Sequence, residues 1–307
     1  YSNITVMKLL FENIDLEKEK DLIHQLLNSL SKEKNEGETN QTYEDRINGE
    51  IKNLINKHNP ESILTCIGKT GRPNIDWCES NKESTFFSNV TIPTFIAEVC
   101  DDMNIRMVHL GSGCIYESDN EGKGYSEDDK PNFRGSFYSR TKIYSEQILS
   151  GYKDILQLRI RMPIDNRPGD RNLIDKLLRY NKVINEQNSI TYVPDFLKIT
   201  KELIDRKETG IFNIVNEGSI GHKEILGLYK EIVDPEFKMP EFIEIEELDT
   251  IAKRSNCILS TKKLEDIGIK VRDVREAIKE CMYIYGRNLK GIDNSKMLSY
   301  GRYSNER

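Results

Sequence analysis

The 307-residue chain has no run of 18 apolar residues, which excludes a bilayer-spanning helix. It has no C-x-x-C pair and no Cys/His cluster at zinc spacing, so no metal site is expected. The six cysteines (Cys66, Cys78, Cys100, Cys114, Cys257, Cys281) are scattered. Without a secretion signal they read as free thiols of a reducing compartment, the cytoplasm. The N-x-S/T triplets at Asn3, Asn40 and Asn89 then read as unmodified. Basic excess is also lacking: 45 Lys and Arg against 51 Asp and Glu leave a net charge of −6, which argues against nucleic-acid binding. The opening Y-S-N-I-T-V-M-K-L-L-F is too short in its apolar run, and lacks the basic lead-in, for a signal peptide. It begins on Tyr1, so either the sequence is truncated or Met7 is the natural start. No internal repeat is visible.

What is present is a globular composition, 37% hydrophobic and 31% charged, in a chain long enough for one or two domains. Val6–Phe11 reads as a first strand, and Glu17–Leu30 as a helix with apolar residues at helical spacing. Lys32–Arg46 is polar and reads as a loop, followed by a helix over Ile47–His58 that Pro60 ends. Ile63–Ile67, Met107–Leu110 and Ile155–Arg161 read as strands, with helices over Ser84–Asp102 and Ser136–Leu149 between them. Such alternation implies a doubly wound α/β parallel sheet covered on both faces, with ligands at the carboxyl ends of its strands. Thr70–Asn74, Ser112–Cys114 and Met162–Ile164 then border one crevice facing Tyr138.

Beyond Arg161 the pattern breaks into short pieces. Helices are expected over Asn172–Tyr180, Lys223–Ile232 and Val274–Tyr285, and part of one over Ile199–Ile204. Strands are expected at Ile190–Val193, Ile211–Val215 and Phe242–Glu246. The expected division is a sheet domain over 1–160 that also receives about 190–216, an interleaved cap over 161–287, and a loose tail over 288–307.

Gly135–Lys142, G-S-F-Y-S-R-T-K, carries Tyr138 four residues before Lys142, one face of a helix. An ammonium held there can lower a phenol's pKa and make it an acid–base group for carbonyl/alcohol interconversion. Taken alone, the spacing is common in a lysine-rich chain. Ser112, just past a strand end, supplies a hydroxyl that can help polarise the same carbonyl. Cys114, two residues on, offers a thiol for proton exchange with a carbon acid, though a free Cys is more often a small buried hydrophobe.

The segments G-K-T-G-R-P-N-I-D-W-C-E-S (Gly68–Ser80), G-S-G-C-I-Y-E (Gly111–Glu117), P-N-F-R-G-S-F-Y-S-R-T-K (Pro131–Lys142), L-R-I-R-M-P-I (Leu158–Ile164), R-N-L-I-D-K (Arg171–Lys176) and R-S-N-C-I-L-S-T-K-K-L (Arg254–Leu264) closely resemble the nucleotide-rhamnose synthases. These are short-chain dehydrogenase/reductases, similar to dTDP-4-dehydrorhamnose reductases. The likeness runs from about Asn59 to about Tyr285. It implies a Rossmann-like sheet with a smaller C-terminal substrate-binding cap. It also implies 3,5-epimerisation and 4-reduction of a UDP- or dTDP-4-keto-6-deoxyglucose, with NADP(H) or NAD(H) as cofactor. By the resemblance, Cys114 and Lys176 exchange the protons at C3 and C5. Ser112, Tyr138 and Lys142 serve the C4 oxygen. Gly68, Arg161, Pro163 and Ile164 join Tyr138 and Lys142 at the cofactor. Arg72, Asn74, Ser112, Asn172 and Arg254 line the substrate, Arg254 at its diphosphate. A homodimer is one option for the assembly.

The departure from the family lies at the front. Where the family has G-x-x-G-x-x-G, Glu12–Lys20 reads E-N-I-D-L-E-K-E-K, without glycine and with acids where a pyrophosphate would sit. A second cofactor element is reduced to Arg46 in a polar stretch. Three readings stay open. NADPH is bound through an altered loop; the glycine loop lies upstream of Tyr1, with Asp15 meeting the ribose; or cofactor binding is lost and an epimerase or a non-catalytic binding subunit remains.

Overall fold

A computed structural model describes residues 39–292. The expected first strand and helix, the glycine-free stretch and the tail past 292 lie outside those residues.

Helix α1 (Asn40–His58) begins earlier than its apolar spacing suggests, which corrects the expected loop over Asn40–Arg46. Thr39 and Thr42 form a reciprocal capping box that satisfies backbone N–H groups at its start. The helix ends on Asn59 in the left-handed conformation, before Pro60. Strand β1 (Ser62–Thr65) follows, then two short helices, α2 (Asp76–Ser80) and α3 (Lys82–Phe86). A π-helical turn (Phe87–Thr91) leads into α4 (Ile92–Asp102), where Pro93 stands at the start and has no N–H for the ladder. The helix expected over Ser84–Asp102 is therefore one rod with a slipped hydrogen-bond ladder ahead of its proline.

Strand β2 (Arg106–Ser112), helix α5 (Phe137–Leu149) and strand β3 (Ile155–Ile160) complete the centre of the sheet. Next come β4 (Pro163–Ile164), α6 (Leu173–Leu177), β5 (Lys182–Ile184), β6 (Thr191–Tyr192), α7 (Val193–Asp205) and β7 (Gly210–Asn213). The chain then forms α8 (His222–Ile232), β8 (Glu241–Ile243), α9 (Lys262–Asp266) and α10 (Val274–Leu289). Helix α10 continues through Asn288 and Leu289, into the stretch expected to be tail.

The main sheet has the order β1-β2-β3-β7 and is parallel throughout. Its two central strands, β2 and β3, are largely buried, as in a sheet covered on both faces. One apolar cluster joins α1 and α4 to Met107, Leu149 and Ile155. Another packs Phe196, Leu197, Leu203, Leu264 and Ile269 on Val108, Leu156 and Leu158. A separate cluster gathers Ile174, Tyr192, Ile225, Ile278 and Met282, and forms the body of the cap. The small parallel pairs β4-β6 and β5-β8 tie the excursions together. No helix of the described residues is long and apolar enough to cross a membrane.

Candidate active site

The parallel register brings the ends of β2 and β3 level, with Ser112 opposite Ile160. The chain leaving β2 turns at once at Gly113, where a Cβ would stand 2.6 Å from a methyl of the buried Leu259 and force it to shift. The Cys114 N–H donates to Ser112 Oγ at 3.1 Å, which fixes the serine in the turn. Helix α5 then lies against the same edge. Ser136 caps it by accepting from the Ser139 N–H at 3.0 Å.

Tyr138 is the second residue of α5, and Lys142 follows one turn later on the same face. Burial pushes the Tyr138 phenol above its ordinary value, with Cys114 adding to the rise; a hydrogen bond from the Ser112 side chain and the charge of Arg161 oppose it. This corrects the expectation that Lys142 lowers the phenol's pKa. The phenol stays protonated at neutral pH and is poised as a donor. Lys142 is 6% exposed, and burial pulls its ammonium down to about 8 against the pull of Glu146, Cys114 and Cys66. Its one hydrogen bond among the described residues goes to the Leu110 carbonyl at 3.1 Å, so two of three donors are unused.

Cys114 is half-buried, and its sulfur accepts from Arg161 Nη1 at 2.8 Å. Arg161 is 4% exposed, and its Nη2 donates to Asn188 Oδ1 at 2.6 Å and to the Ser255 carbonyl. A single guanidinium thus joins the β2 turn to the cap. Arg161 was expected at the cofactor; its fork is instead taken up by these three groups. Met162 next to it lies at φ 40°, a conformation unfavourable for a side-chain-bearing residue, where the chain leaves β3 for β4. Pro163 is exposed and Ile164 buried.

The G-R-P-N-I-D-W-C-E stretch acts as a brace. Gly71 lies at φ 74°, and a Cβ there would meet Trp77 Cβ at 2.5 Å. Gly68 is followed by Lys69, whose N–H donates to the fully buried Asn89; Asn89 in turn donates to Thr141 of α5 at 3.0 Å. Asn74 accepts from the Asp76 N–H at 2.8 Å, a local turn, and Arg72 is exposed. Asp76 accepts from Arg254 Nη1 at 2.9 Å and from the Ala252 N–H at 3.0 Å. Burial raises the Asp76 carboxyl, but these partners outweigh it and hold it below its ordinary value. Arg254, expected at a diphosphate, therefore has one arm of its fork anchored and is held in a set orientation.

Asn172 caps α6 and donates to the Asp165 and Arg167 carbonyls at 2.6 and 2.9 Å, so its amide serves the scaffold. Lys176 is half-buried on α6, with no side-chain hydrogen bond or ion pair among the described residues. Burial and the nearby Arg171 lower its ammonium's pKa. The structure joins Ser112, Cys114 and Arg161 by hydrogen bonds and brings Tyr138 and Lys142 to the same edge, while Lys176 and Asn172 belong to the cap and Arg72 to the loop after β1.

Sequence reasoning gave no role to Asp76, Glu79, Asn188 or His109. The two acids stand three apart in a short string around Trp77, which is their only signal. His109 is 1% exposed on β2 with neither ring nitrogen bonded, and burial, with Lys142 nearby, keeps it neutral.

Beneath α5 the sheet supplies a further anchor. Arg159 is 1% exposed and grips Glu146 of α5 through Nε at 2.6 Å and Nη2 at 2.8 Å. Two parallel charge-assisted bonds of this kind hold both position and rotation. They fix α5 against β3 one turn below Lys142.

The parallel sheet, the helix carrying Tyr138 and Lys142 at its edge and the cap define a Rossmann-like protein built as the nucleotide-sugar reductases and epimerases are. The chain belongs to the RmlD substrate binding domain family, matched over residues 22–286. It is 38% identical over 226 residues to a bifunctional dTDP-4-dehydrorhamnose 3,5-epimerase/dTDP-4-dehydrorhamnose reductase of Arabidopsis thaliana, covering 71% of this chain and 75% of that protein. It is 40% identical over 240 residues (75% of this chain) to a trifunctional UDP-glucose 4,6-dehydratase/UDP-4-keto-6-deoxy-D-glucose 3,5-epimerase/UDP-4-keto-L-rhamnose-reductase of the same plant. The chain spans only 35% of that larger relative. Among solved structures, the UDP-rhamnose synthase of Acanthamoeba polyphaga mimivirus matches with TM-score 0.73 and 32% identity, over 77% of this chain and 86% of that one. A dTDP-4-dehydrorhamnose reductase of Bacillus anthracis, solved with NADP, matches with TM-score 0.67 over 76% of this chain and 84% of that one; at 17% identity this is a likeness of fold.

Proposed function

We propose that the protein is a bifunctional 3,5-epimerase/4-reductase that converts UDP- or dTDP-4-keto-6-deoxyglucose to the corresponding nucleotide-L-rhamnose. The observation that carries this reading is the placement of Ser112, Cys114, Tyr138 and Lys142 beside one another at the carboxyl edge of the sheet. These groups match the two chemistries. The 4-keto group acidifies C3–H and C5–H. Cys114 and Lys176 remove and return those protons. Tyr138 gives its proton to the C4 oxygen, and Ser112 holds that oxygen by a hydrogen bond. Arg254, anchored on Asp76, meets the diphosphate with the arm of its fork left over.

The described residues fit the reactive end of a nicotinamide dinucleotide. Lys142 has two free donors for ribose hydroxyls, and Gly68 leaves the loop after β1 without a side chain at the crevice. Gly68, Pro163 and Ile164 are the remaining residues proposed at that end; Arg161, whose fork is occupied, braces the turn behind them. When bound, NADPH supplies the hydride that C4 accepts. The sequence has no glycine over Glu12–Lys20, where the family carries its pyrophosphate-binding glycines, and this favours a second reading, an epimerase without reductase activity.

The test is to incubate the protein with UDP-4-keto-6-deoxyglucose, and separately the dTDP sugar, in heavy water. Deuterium entering C3 and C5, with rhamnose formed when NADPH is added, is the expected result. Deuterium entry without NADPH consumption, and no thermal shift at millimolar NADPH, sinks the reductase and leaves the epimerase. Neither deuterium nor product refutes both and leaves a binding protein.

A further inference from the structure

The G-R-P-N-I-D-W-C-E string ends on an acid whose partner lies 58 residues away. The Glu79 carboxylate accepts from the backbone N–H of Phe137, the first residue of α5, and stands 3.7 Å from Arg140 of the same helix. The side chain is 17% exposed, so the contact is shielded from water. Helix starts leave backbone donors without intrahelical acceptors. Here Ser136 takes the donor of Ser139, and Glu79 takes the donor of Phe137 from outside the helix. Tyr138 sits between these two residues. Its aim is therefore set by a first turn held at both ends, by the local cap and by α2.

Helix α2 is itself fastened. Asp76 at its start binds Arg254 and the Ala252 N–H, and Cys78 in its middle is fully buried and close enough to raise the Tyr138 phenol further. Arg140 also lies over the Phe137 ring at 5.4 Å, closing the contact from the solvent side. A carboxylate near a helix N-terminus is favoured by the helix dipole as well as by the hydrogen bond.

We propose that Glu79 is a positioning residue for Tyr138: it fixes the first turn of α5 so that the phenol points at the C4 oxygen. The proposal rests on the reading of Tyr138 as the proton donor for reduction. It separates Glu79 from a merely structural role, because Cys114 and its Arg161 contact do not pass through this turn.

Two variants test it: Glu79→Met, which keeps the bulk and removes the acceptor, and Glu79→Gln, which keeps an acceptor oxygen. Reduction by Glu79→Met is expected to fall ~10–100-fold in kcat with KM little changed, the scale for a reacting group displaced by about 1 Å. Deuterium entry at C3 and C5 should stay within ~3-fold of wild type, and Glu79→Gln should recover most of the reduction. Independently of turnover, the Phe137 amide of the wild type should be protected from hydrogen exchange. Exchange there should be ~5–10-fold faster in Glu79→Met, as for the loss of a helix cap. An unprotected Phe137 amide in the wild type overturns the proposal. So does a Glu79→Met protein in which reduction and deuterium entry fall together, or in which neither reduction nor amide exchange changes. A wild type that exchanges C3 and C5 protons but reduces nothing refutes the functional reading instead. The amide measurement then judges the cap by itself.

Discussion

Lys142 and Lys176 are both lysines whose ammonium burial disfavours, yet they are held in opposite ways. Lys142 is 6% exposed, on a 13-residue helix clamped from three sides: Glu79 at its first N–H, Asn89 at Thr141, and Arg159 at Glu146. Its Nζ is tied to the end of β2 through Leu110. Lys176 rides a five-residue helix, half-buried, beside a like charge and without an acid partner among the described residues. The first lysine is part of a framework that exists before any ligand arrives. The second is left with unmet donors that a substrate can complete. Under the proposed function, reduction would depend on the sheet and α5, whereas proton exchange would need both Cys114 at the β2 turn and Lys176 on α6.

The largest expected effect comes from removing the acid from the framework. Tyr138→Phe should lower reduction by ~10²–10⁴ while deuterium entry at C3 and C5 persists, followed by NADPH consumption and by mass spectrometry of the sugar. Equal loss of both activities breaks the division. Next is the clamp. Glu146→Ala leaves Arg159 buried without its counter-charge and should destabilise the fold by ~3–5 kcal/mol in urea unfolding. A value below ~1 kcal/mol shows that the pair does not hold α5. Cys114→Ala should suppress deuterium entry by ~10² with the fold unchanged. Unaltered entry removes the sulfur from the mechanism.

The smallest effect is on pH dependence. The folded ammonium of Lys142 titrates near about 8, against an ordinary value of 10.5. Between those values the unfolded chain binds the extra proton, so stability contributed by this group rises as pH climbs from about 8 to 10.5 and is flat below. Lys142→Met should abolish that rise in denaturation midpoints measured across the interval. A rise that survives in the variant assigns it to another group.

Much of this framework is legible in the chain. The helix carrying Tyr138, the strands on either side and the edge where they end all follow from the alternation of apolar runs and turn residues. Helix α1 is misjudged because threonines start it, and apolar periodicity is silent about a capping box. The division of labour inside the G-R-P-N-I-D-W-C-E string is hidden for a different reason. Asp76 and Glu79 look like ordinary surface acids until the fold delivers Arg254 and Phe137 to them. The sequence puts Arg161 at the edge of the sheet, where it lies, but a guanidinium's partners depend on what stands opposite. Asn188 and Ser255 come from distant parts of the chain.

The bond between Asp76 and Arg254 spans 178 positions of sequence. During synthesis at roughly 5–20 residues per second, about ten seconds or more separate the appearance of the acid from that of its arginine. Throughout that interval the loop bearing Arg72 and Asn74 has no partner for its aspartate, however complete the sheet behind it. The anchorage of Arg254, the residue proposed to meet the diphosphate, is thus among the last features the nascent protein acquires. A chain cut short of residue 254 would carry Ser112, Tyr138 and Lys142 and still lack the anchored arginine.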